Sequence, residues 1–352
     1  MRVLFDLAHP AHVHLYRHLI KRVVAEDGQV FVATREKDVA VDLCRAYGIA
    51  QTVISRSRPK SRAAAGIEMA WRTVQIARAA LSFRPDALVG SSVSIGPVGH
   101  LVRRPSFVFT EDDGAVVPLF SRVTYPFCTW VVTPEALRNE GVGAKQITYP
   151  GYHELAYLHP NHFKPDPEVP RRLGLDPGGR YFLVRLVALG SHHDIGAAGI
   201  PPDAVHRLIA LLKERGRVLI TSEGRLPAEL EELRFRMPPE TLHDVLAFAS
   251  LYFGDSQTMA IEAAMLGVPS LRCNSFVGRL SVMEELEHRD GLTRGFLPEH
   301  AGGLVELVAD WCRDLDGVKA EMRRRRKVML ARCVDLAQWQ WETVSRLSIR
   351  RP

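Results

Sequence analysis

No stretch of the chain reaches the roughly 20 consecutive apolar residues of a membrane-spanning helix, so a membrane-embedded protein is not expected. The opening Met1-Arg2-Val3-Leu4-Phe5-Asp6 leads into no long apolar run, which argues against a secretory signal peptide. Cysteine is scarce and unpatterned. Cys44, Cys128, Cys273, Cys312 and Cys333 are odd in number, widely spaced and free of any C-x-x-C pair. A disulfide scaffold and a zinc knuckle are therefore not expected, and a reducing, cytoplasmic setting is. There is no H-E-x-x-H and no carboxylate-rich metal pattern, so no metal is expected. Neither basic run, residues 56–62 or 323–327, is interleaved with aromatics, and no nucleic-acid-binding module is visible, which sets nucleic acid aside as a partner.

What is present is an ordinary globular composition, 46% hydrophobic and 24% charged, in 352 residues. At roughly 100–200 residues per domain, two domains are the first expectation. The net charge of +6 by itself fits an anionic ligand, an acidic membrane surface touched peripherally or nucleic acid, and equally an Arg-rich solvated face.

The first half alternates short apolar runs with helical periodicity. Strands are expected at residues 3–7, 30–33, 51–54, 87–90, 106–110 and 130–133. Helices are expected from about 13 to 23, at 37–47 and at 67–82, with another starting at Pro134. Buried, near-continuous apolar strands separated by helices imply a parallel, doubly wound sheet with right-handed crossovers. A proline-rich polar stretch interrupts the pattern, and the alternation then restarts. Strands are expected at 181–187, 217–221, 251–254 and 269–272, helices at 203–213, 242–249 and 257–266, and the last fifty residues read as helical. The expectation is thus an N-terminal Rossmann-like domain at 1–160, a linker at 161–178, a second Rossmann-like domain at 179–334 and a C-terminal helix at 335–352 that packs back on the first domain.

Ligands of such sheets bind beyond the carboxyl ends of the strands, and five segments lie there. Gly254-Asp255-Ser256-Gln257-Thr258-Met259-Ala260-Ile261-Glu262 runs from a strand through a polar turn into a helix. Asp255 or Ser256 can cap that helix, and its free amides suit a phosphate. Met259, Ala263 and Leu266 form the expected packing stripe, and Glu262 could receive a ribose diol; a capped helix with an exposed glutamate is the plain alternative. Ala8-His9-Pro10-Ala11-His12-Val13-His14 places three imidazoles after the first strand, where histidine suits general-base work. Helix capping would explain them as well. His14 and His18, four residues apart, could share a helix face. Gly90-Ser91-Ser92-Val93-Ser94 offers small and hydroxyl side chains for an acceptor or pyrophosphate turn, or simply a tight turn. Thr110-Glu111-Asp112-Asp113-Gly114 ends an apolar strand in three acids, which must be wet or paired. Arg185, Gly190, Ser191 and His192 follow the first strand of the second half and could hold a diphosphate.

These motifs carry resemblances. The turn at 254–269 is similar to the donor signature of UDP-N-acetylglucosamine 2-epimerases, Asp-Ser-Gly-Gly-x-x-x-Glu followed by Gly-x-Pro, and to the Glu-Ala-x-x-x-Gly-x-Pro of GT-B glycosyltransferases. By that likeness Ser256 meets a phosphate and Glu262 the ribose. The paired glycines are replaced here by Gln257 and Thr258, which leaves less room for a phosphate against the backbone. The opening Asp-x-x-His-Pro-Ala-His-Val-His, with nearly the whole chain, resembles the domain of unknown function 354 family, thought to be GT-B-like. The histidine loop is also similar to the Gly-Gly-His loop of the GlcNAc transferase of peptidoglycan synthesis, with His12 in the place of that histidine. The 90–97 loop resembles that enzyme's acceptor-side loop. Residues 109–114 resemble the His-Glu and Val-Glu-Ala-Gly segments of both families, which makes Glu111 a candidate acid or base.

The resemblance implies two Rossmann-like parallel-sheet domains facing a cleft, the GT-B type. It implies a metal-independent glycosyltransferase without cofactor, moving a sugar from a nucleotide diphosphate, UDP foremost, to a glycan or lipid-linked acceptor in surface polysaccharide synthesis. His12, Glu111 and His9 are the catalytic candidates. Arg185, Gly190, Ser191, Asp255, Ser256, Gln257, Thr258 and Glu262 would hold the donor, and His14, Ser92, Ser94 and Asp112 the acceptor. A UDP-sugar 2-epimerase or hydrolase, and a non-catalytic nucleotide-sugar-binding protein, stay open beside it.

Overall fold

The structure is a computed structural model and describes residues 1–36, 39–55, 61–137, 141–187, 198–222 and 224–348. The chain forms two units, Met1–His162 with Cys333–Pro352, and Phe163–Arg332.

Unit 1 runs β1 (Arg2–Leu7), α1 (Pro10–Ala25), β2 (Gln29–Arg35), α2 (Ala40–Ala46), β3 (Thr52–Ser55), α3 (Arg62–Phe83), β4 (Ala87–Gly90), α4 (Ile95–Val102), β5 (Ser106–Phe109), α5 (Pro118–Thr124), β6 (Trp130–Pro134), β7 (Gln146–Tyr149) and α6 (Leu155–Leu158). Its seven strands lie in the order β3-β2-β1-β4-β5-β6-β7, every pairing parallel. The chain steps outward from β1 to β3, then crosses to β4 and steps the other way. Right-handed crossovers therefore put α1 and α2 on one face and α3, α4 and α5 on the other. Val3, Leu4, Phe5 and Leu7 of β1 are fully buried, as a central strand covered on both faces requires.

Unit 2 continues with α7 (Glu168–Arg172), β8 (Tyr181–Leu186), α8 (Pro202–Lys213), β9 (Arg217–Ser222), α9 (Ala228–Glu231), α10 (Leu242–Phe248), β10 (Leu251–Gly254), α11 (Gln257–Leu266), β11 (Ser270–Cys273), α12 (Ser281–Glu284), β12 (Thr293–Phe296), α13 (Ala301–Trp311) and α14 (Leu315–Leu330). Its five parallel strands lie in the order β12-β11-β10-β8-β9. The core gathers Phe182, Val184, Leu208, Ile220, Phe253 and Leu271 with the inner sides of α8 and α13. The last helix, α15 (Leu336–Ser348), belongs to unit 1, where it packs on α1 and α6.

Several local expectations change. Among the described residues the helix anticipated from Pro134 does not form: Pro134 closes β6, and Glu135–Leu137 is a 3-10 turn. Proline's fixed φ suits a strand end as well as a helix start. The edge strands β7 and β12 were not anticipated. The proline-rich stretch 161–178 contains α7, which packs on α10, and Asp166 donates its backbone N–H to Asp244 at 2.8 Å.

Candidate functional site

Two carboxyl edges, one in each unit, carry the residues singled out above. In unit 1 the turn after β1 starts α1 at a proline, and His9 is the cap. Its backbone is extended and its Nδ1 accepts the Ala11 N–H at 3.2 Å. The exposed His9 ring and the half-buried His12 ring lie 5.9 Å apart by centroid. His14 is not on this edge. It is buried, contacts the Tyr47 hydroxyl at 3.3 Å and stacks on Tyr157, so it is a packing residue of α1 against its neighbouring helices. His18 accepts from Arg17 Nε at 3.2 Å and faces His162. Burial, with Arg17 next, pushes its pKa down to about 3.

The serine turn after β4 also points inward. Asp6, fully buried in β1, receives hydrogen bonds from Arg72 of α3 and from the Ser92 hydroxyl. Ser94 is fully buried and shares a 2.9 Å hydrogen bond with Thr73. Both hydroxyls, expected to meet an acceptor, tie the turn to β1 and α3. Ser91 bonds the buried Tyr16 hydroxyl at 2.7 Å.

Beyond β5, Asp112 is exposed, while Glu111 is half-buried with Oε2 at 3.5 Å from His153 Nδ1. His153 went unnoticed in the sequence although the signal was there: Tyr152-His153-Glu154 follows β7 two residues on. Its ring stacks on Tyr149 at 6.1 Å and 15° and lies near Phe109. Burial drives its pKa down to about 3, so it is neutral near pH 7. Among the described residues its Nε2 and the Tyr149 hydroxyl are buried with no hydrogen-bond partner. Burial, with Glu111, Glu154 and Tyr16 nearby, also raises the Tyr149 pKa. Glu111 and His153 thus form a carboxylate–imidazole pair set against aromatic walls.

In unit 2 the turn from β10 into α11 is the organised feature. Gly254 admits no side chain, since a Cβ there would lie 2.6 Å from the Arg185 carbonyl and the Tyr252 hydroxyl. Ser256, not Asp255, caps α11, with its Oγ accepting from Met259 N at 3.4 Å. Asp255 Oδ1 accepts the Val187 N–H at 2.7 Å and its own N–H bonds the Arg185 carbonyl, so the start of the loop after β8 is held against the cap. Asn274, just past β11, donates to the Asp255 carbonyl at 3.0 Å and accepts from Gln257 Nε2 at 3.3 Å. The Gln257 Oε1 is buried without a partner among the described residues. Thr258 is half-buried beside it. Gly190, Ser191 and His192 lie outside the described residues.

Glu262 is 3% exposed and bonds His243 of α10 at 2.9 Å, a residue the sequence reading passed over. α11 is buried on every side from Met259 to Met265, rather than along one stripe. The left-handed Gly267 (φ 72°) ends it. The structure therefore brings Arg185, Asp255, Ser256, Gln257 and Glu262 to one edge, with Glu262 behind the first turn. A groove of about 990 Å³ between β12, α13 and α14 has none of these residues in its lining. Among the described residues no cluster of three His, Cys, Asp or Glu side chains could hold a metal ion, and no helix is long and apolar enough to cross a membrane.

Residues 1–290 match the family described as Protein of unknown function (DUF354). The chain belongs to this family. No curated protein matches it. It is similar in structure to S. aureus MnaA, solved with UDP (TM-score 0.70, 11% identity, covering 100% of this chain and 98% of that one). It is similar to the UDP-GlcNAc 2-epimerase from Neisseria meningitidis bound to UDP-GlcNAc (0.61, 12%, 96% and 100%). It is also similar to the glycosyltransferase SnogD from Streptomyces nogalater (0.65, 15%, 99% and 99%). These likenesses give the fold, two Rossmann-like parallel-sheet units of the GT-B type.

Proposed function

We propose that the chain is a metal-independent GT-B glycosyltransferase that takes a nucleotide diphosphate sugar, UDP-linked by preference. It passes the sugar to a glycan or lipid-linked acceptor in surface polysaccharide synthesis. The observation that carries this reading is the turn from β10 into α11: a Ser256-capped helix start beside Arg185, with Asp255 holding the loop after β8 against it. Amides at such an end, with a hydroxyl and a guanidinium, favour a diphosphate and would stabilise it as it leaves.

In this reading the acceptor oxygen attacks the anomeric carbon. The bond from that carbon to the diphosphate oxygen breaks, and the nucleoside diphosphate departs with the electron pair. The acceptor proton goes to an imidazole, His12, with His9 next to it. Gln257 and Thr258 replace two small glycines, so the phosphates stand off the backbone and meet side-chain amide and hydroxyl groups instead.

Glu111 beside His153 favours a second reading, a UDP-sugar 2-epimerase or hydrolase, which needs acid and base groups but no acceptor. Incubation of UDP-GlcNAc with the protein alone separates the two: free UDP with a rearranged sugar supports the second, and turnover that requires an acceptor supports the first.

The test of the shared donor site is thermal stability with UDP, GDP, CDP, ADP and dTDP. A ligand at about 100 times its Kd stabilises by about 2.7 kcal/mol. Stabilisation by one nucleotide, lost in Ser256→Ala with Gln257→Ala, is expected. No shift with any nucleotide overturns both readings.

A further inference from the structure

Unit 1 has two helical faces of different character. On the face of α1, the helix α15 lies across α1 and α6 as an outer cover. The face of α3, α4, α5 and the 3-10 turn Tyr125–Phe127 has no such cover among the described residues, and its elements pack on one another. It is also where the exposed apolar side chains collect. Ten large hydrophobic residues are exposed in the described chain, and seven lie here. Ile67, Trp71, Val74 and Leu81 come from α3. Leu101, Leu119 and Phe127 come from α4, α5 and the 3-10 turn. The four on α3 follow a spacing of four, three and seven residues, which is one stripe of the helix. Ile67 is 72% exposed and Trp71 56%, so neither is a core residue with a bare edge. A monomer surface rarely gathers apolar side chains this way without something to meet.

The charge on this face identifies what that is. Its four elements contain a single carboxylate, Glu68, and it is buried between Ser55 and Arg35. Arg78 and Arg122 are exposed within the elements, and Arg84 and Arg103 at their carboxyl ends. An acid-free face with an indole, aliphatic side chains and arginines matches an anionic bilayer. The apolar groups enter the headgroup boundary while guanidinium groups meet lipid phosphates. A second copy of the same face would bring arginine against arginine.

We infer that the α3–α4–α5 face of unit 1 is a peripheral docking surface for anionic membranes, with Ile67 and Trp71 as the inserted residues and Arg78, Arg84, Arg103 and Arg122 as the phosphate contacts. The inference does not depend on the nucleotide-sugar reading. It is tested with the full chain by flotation with vesicles of phosphatidylcholine alone and of phosphatidylcholine with phosphatidylglycerol, and by quenching of tryptophan fluorescence with brominated lipid. Binding to the phosphatidylglycerol vesicles that weakens with salt, and little binding to the neutral ones, is expected. Ile67→Ser with Trp71→Ser should lower partitioning by about tenfold or more and remove the quenching, at an unchanged melting temperature. Arg78→Glu with Arg122→Glu should abolish the preference for anionic lipid. Failure to float with anionic vesicles overturns the inference. So does binding that survives both double substitutions, or a sedimenting dimer that disappears in the Ile67 and Trp71 variant.

Discussion

Glu262 and His243 occupy each other inside unit 2, 3% and 1% exposed, and this alters how the donor site must be probed. Removing one side chain takes this buried hydrogen bond from the other, at a cost of about 1–3 kcal/mol. Glu262→Ala and His243→Ala should each lower the midpoint of urea unfolding, and Glu262→Gln, which retains an acceptor, should lower it less. Nucleotide binding is therefore best read in Glu262→Gln. His153 sets a second residue-scale expectation. Its folded pKa of about 3 lies below the ordinary 6.5, so the unfolded chain binds the extra proton. Stability is then full above about pH 6.5 and falls as the pH drops from there toward 3, by up to about 1.4 kcal/mol per pH unit. His153→Gln should flatten the acid limb of a pH-dependent unfolding curve; an unchanged slope would show that the buried imidazole does not set it. Both residues also mark the limit of sequence reading. The positions of Glu262, in the helix that follows β10, and of Glu111, just past β5, were legible from the local pattern. Their partners, nineteen and forty-two residues away, come from packing that no spacing rule reports. The burial of His14 and Ser94 was illegible for the same reason, since which face of a helix or turn is wet is decided by the elements around it.

At the scale of elements, the edge strand β12 is pinned by a buried charge. Arg272 of β11 is fully buried, with Glu287 Oε2 at 3.1 Å and Glu284 at 3.7 Å. Glu287 also accepts the Gly295 N–H of β12 at 2.9 Å, and a Cβ on Gly295 would fall 2.9 Å from the guanidinium carbon. Burial lowers the Arg272 pKa and raises that of Glu287, the sign that desolvation weighs on both. Glu287→Ala leaves the arginine with only the more distant Glu284, an expected loss of about 3–5 kcal/mol, whereas Arg272→Met with Glu287→Leu should cost less than either single change. Hydrogen exchange of the β12 amides should rise in Glu287→Ala and not in the double variant. This strand was invisible to periodicity because Thr293-Arg294-Gly295-Phe296 is short and mixes a hydroxyl, a charge and a glycine with a single apolar side chain. β7 was missed on similar grounds. The central strands β1, β8 and β10 were legible because burial on both faces writes a nearly continuous apolar run.

For the whole molecule, connectivity decides which unit depends on which. The chain begins in unit 1, passes through all of unit 2, and returns to unit 1 for α15. Asp335, just after the return, bonds His162 at 2.7 Å and Asn161 at 2.8 Å, which lie just before the departure. The two crossing segments are thus fastened together on the side of unit 1. α15 then buries Leu336, Val344 and Leu347 against unit 1. At about 1.5–3 kcal/mol for each fully buried aliphatic side chain, these three residues contribute an amount comparable with the net stability of a typical domain, about 5–15 kcal/mol. A chain ending at Arg332 should therefore lose the folded state of unit 1 while unit 2, whose core draws on no residue beyond it, keeps its own. Circular dichroism and hydrogen exchange on the shortened chain check this. Protection confined to β8, β10 and β11 is the expected pattern. Retained protection in β1 and β4 would show that α15 covers unit 1 without holding it together.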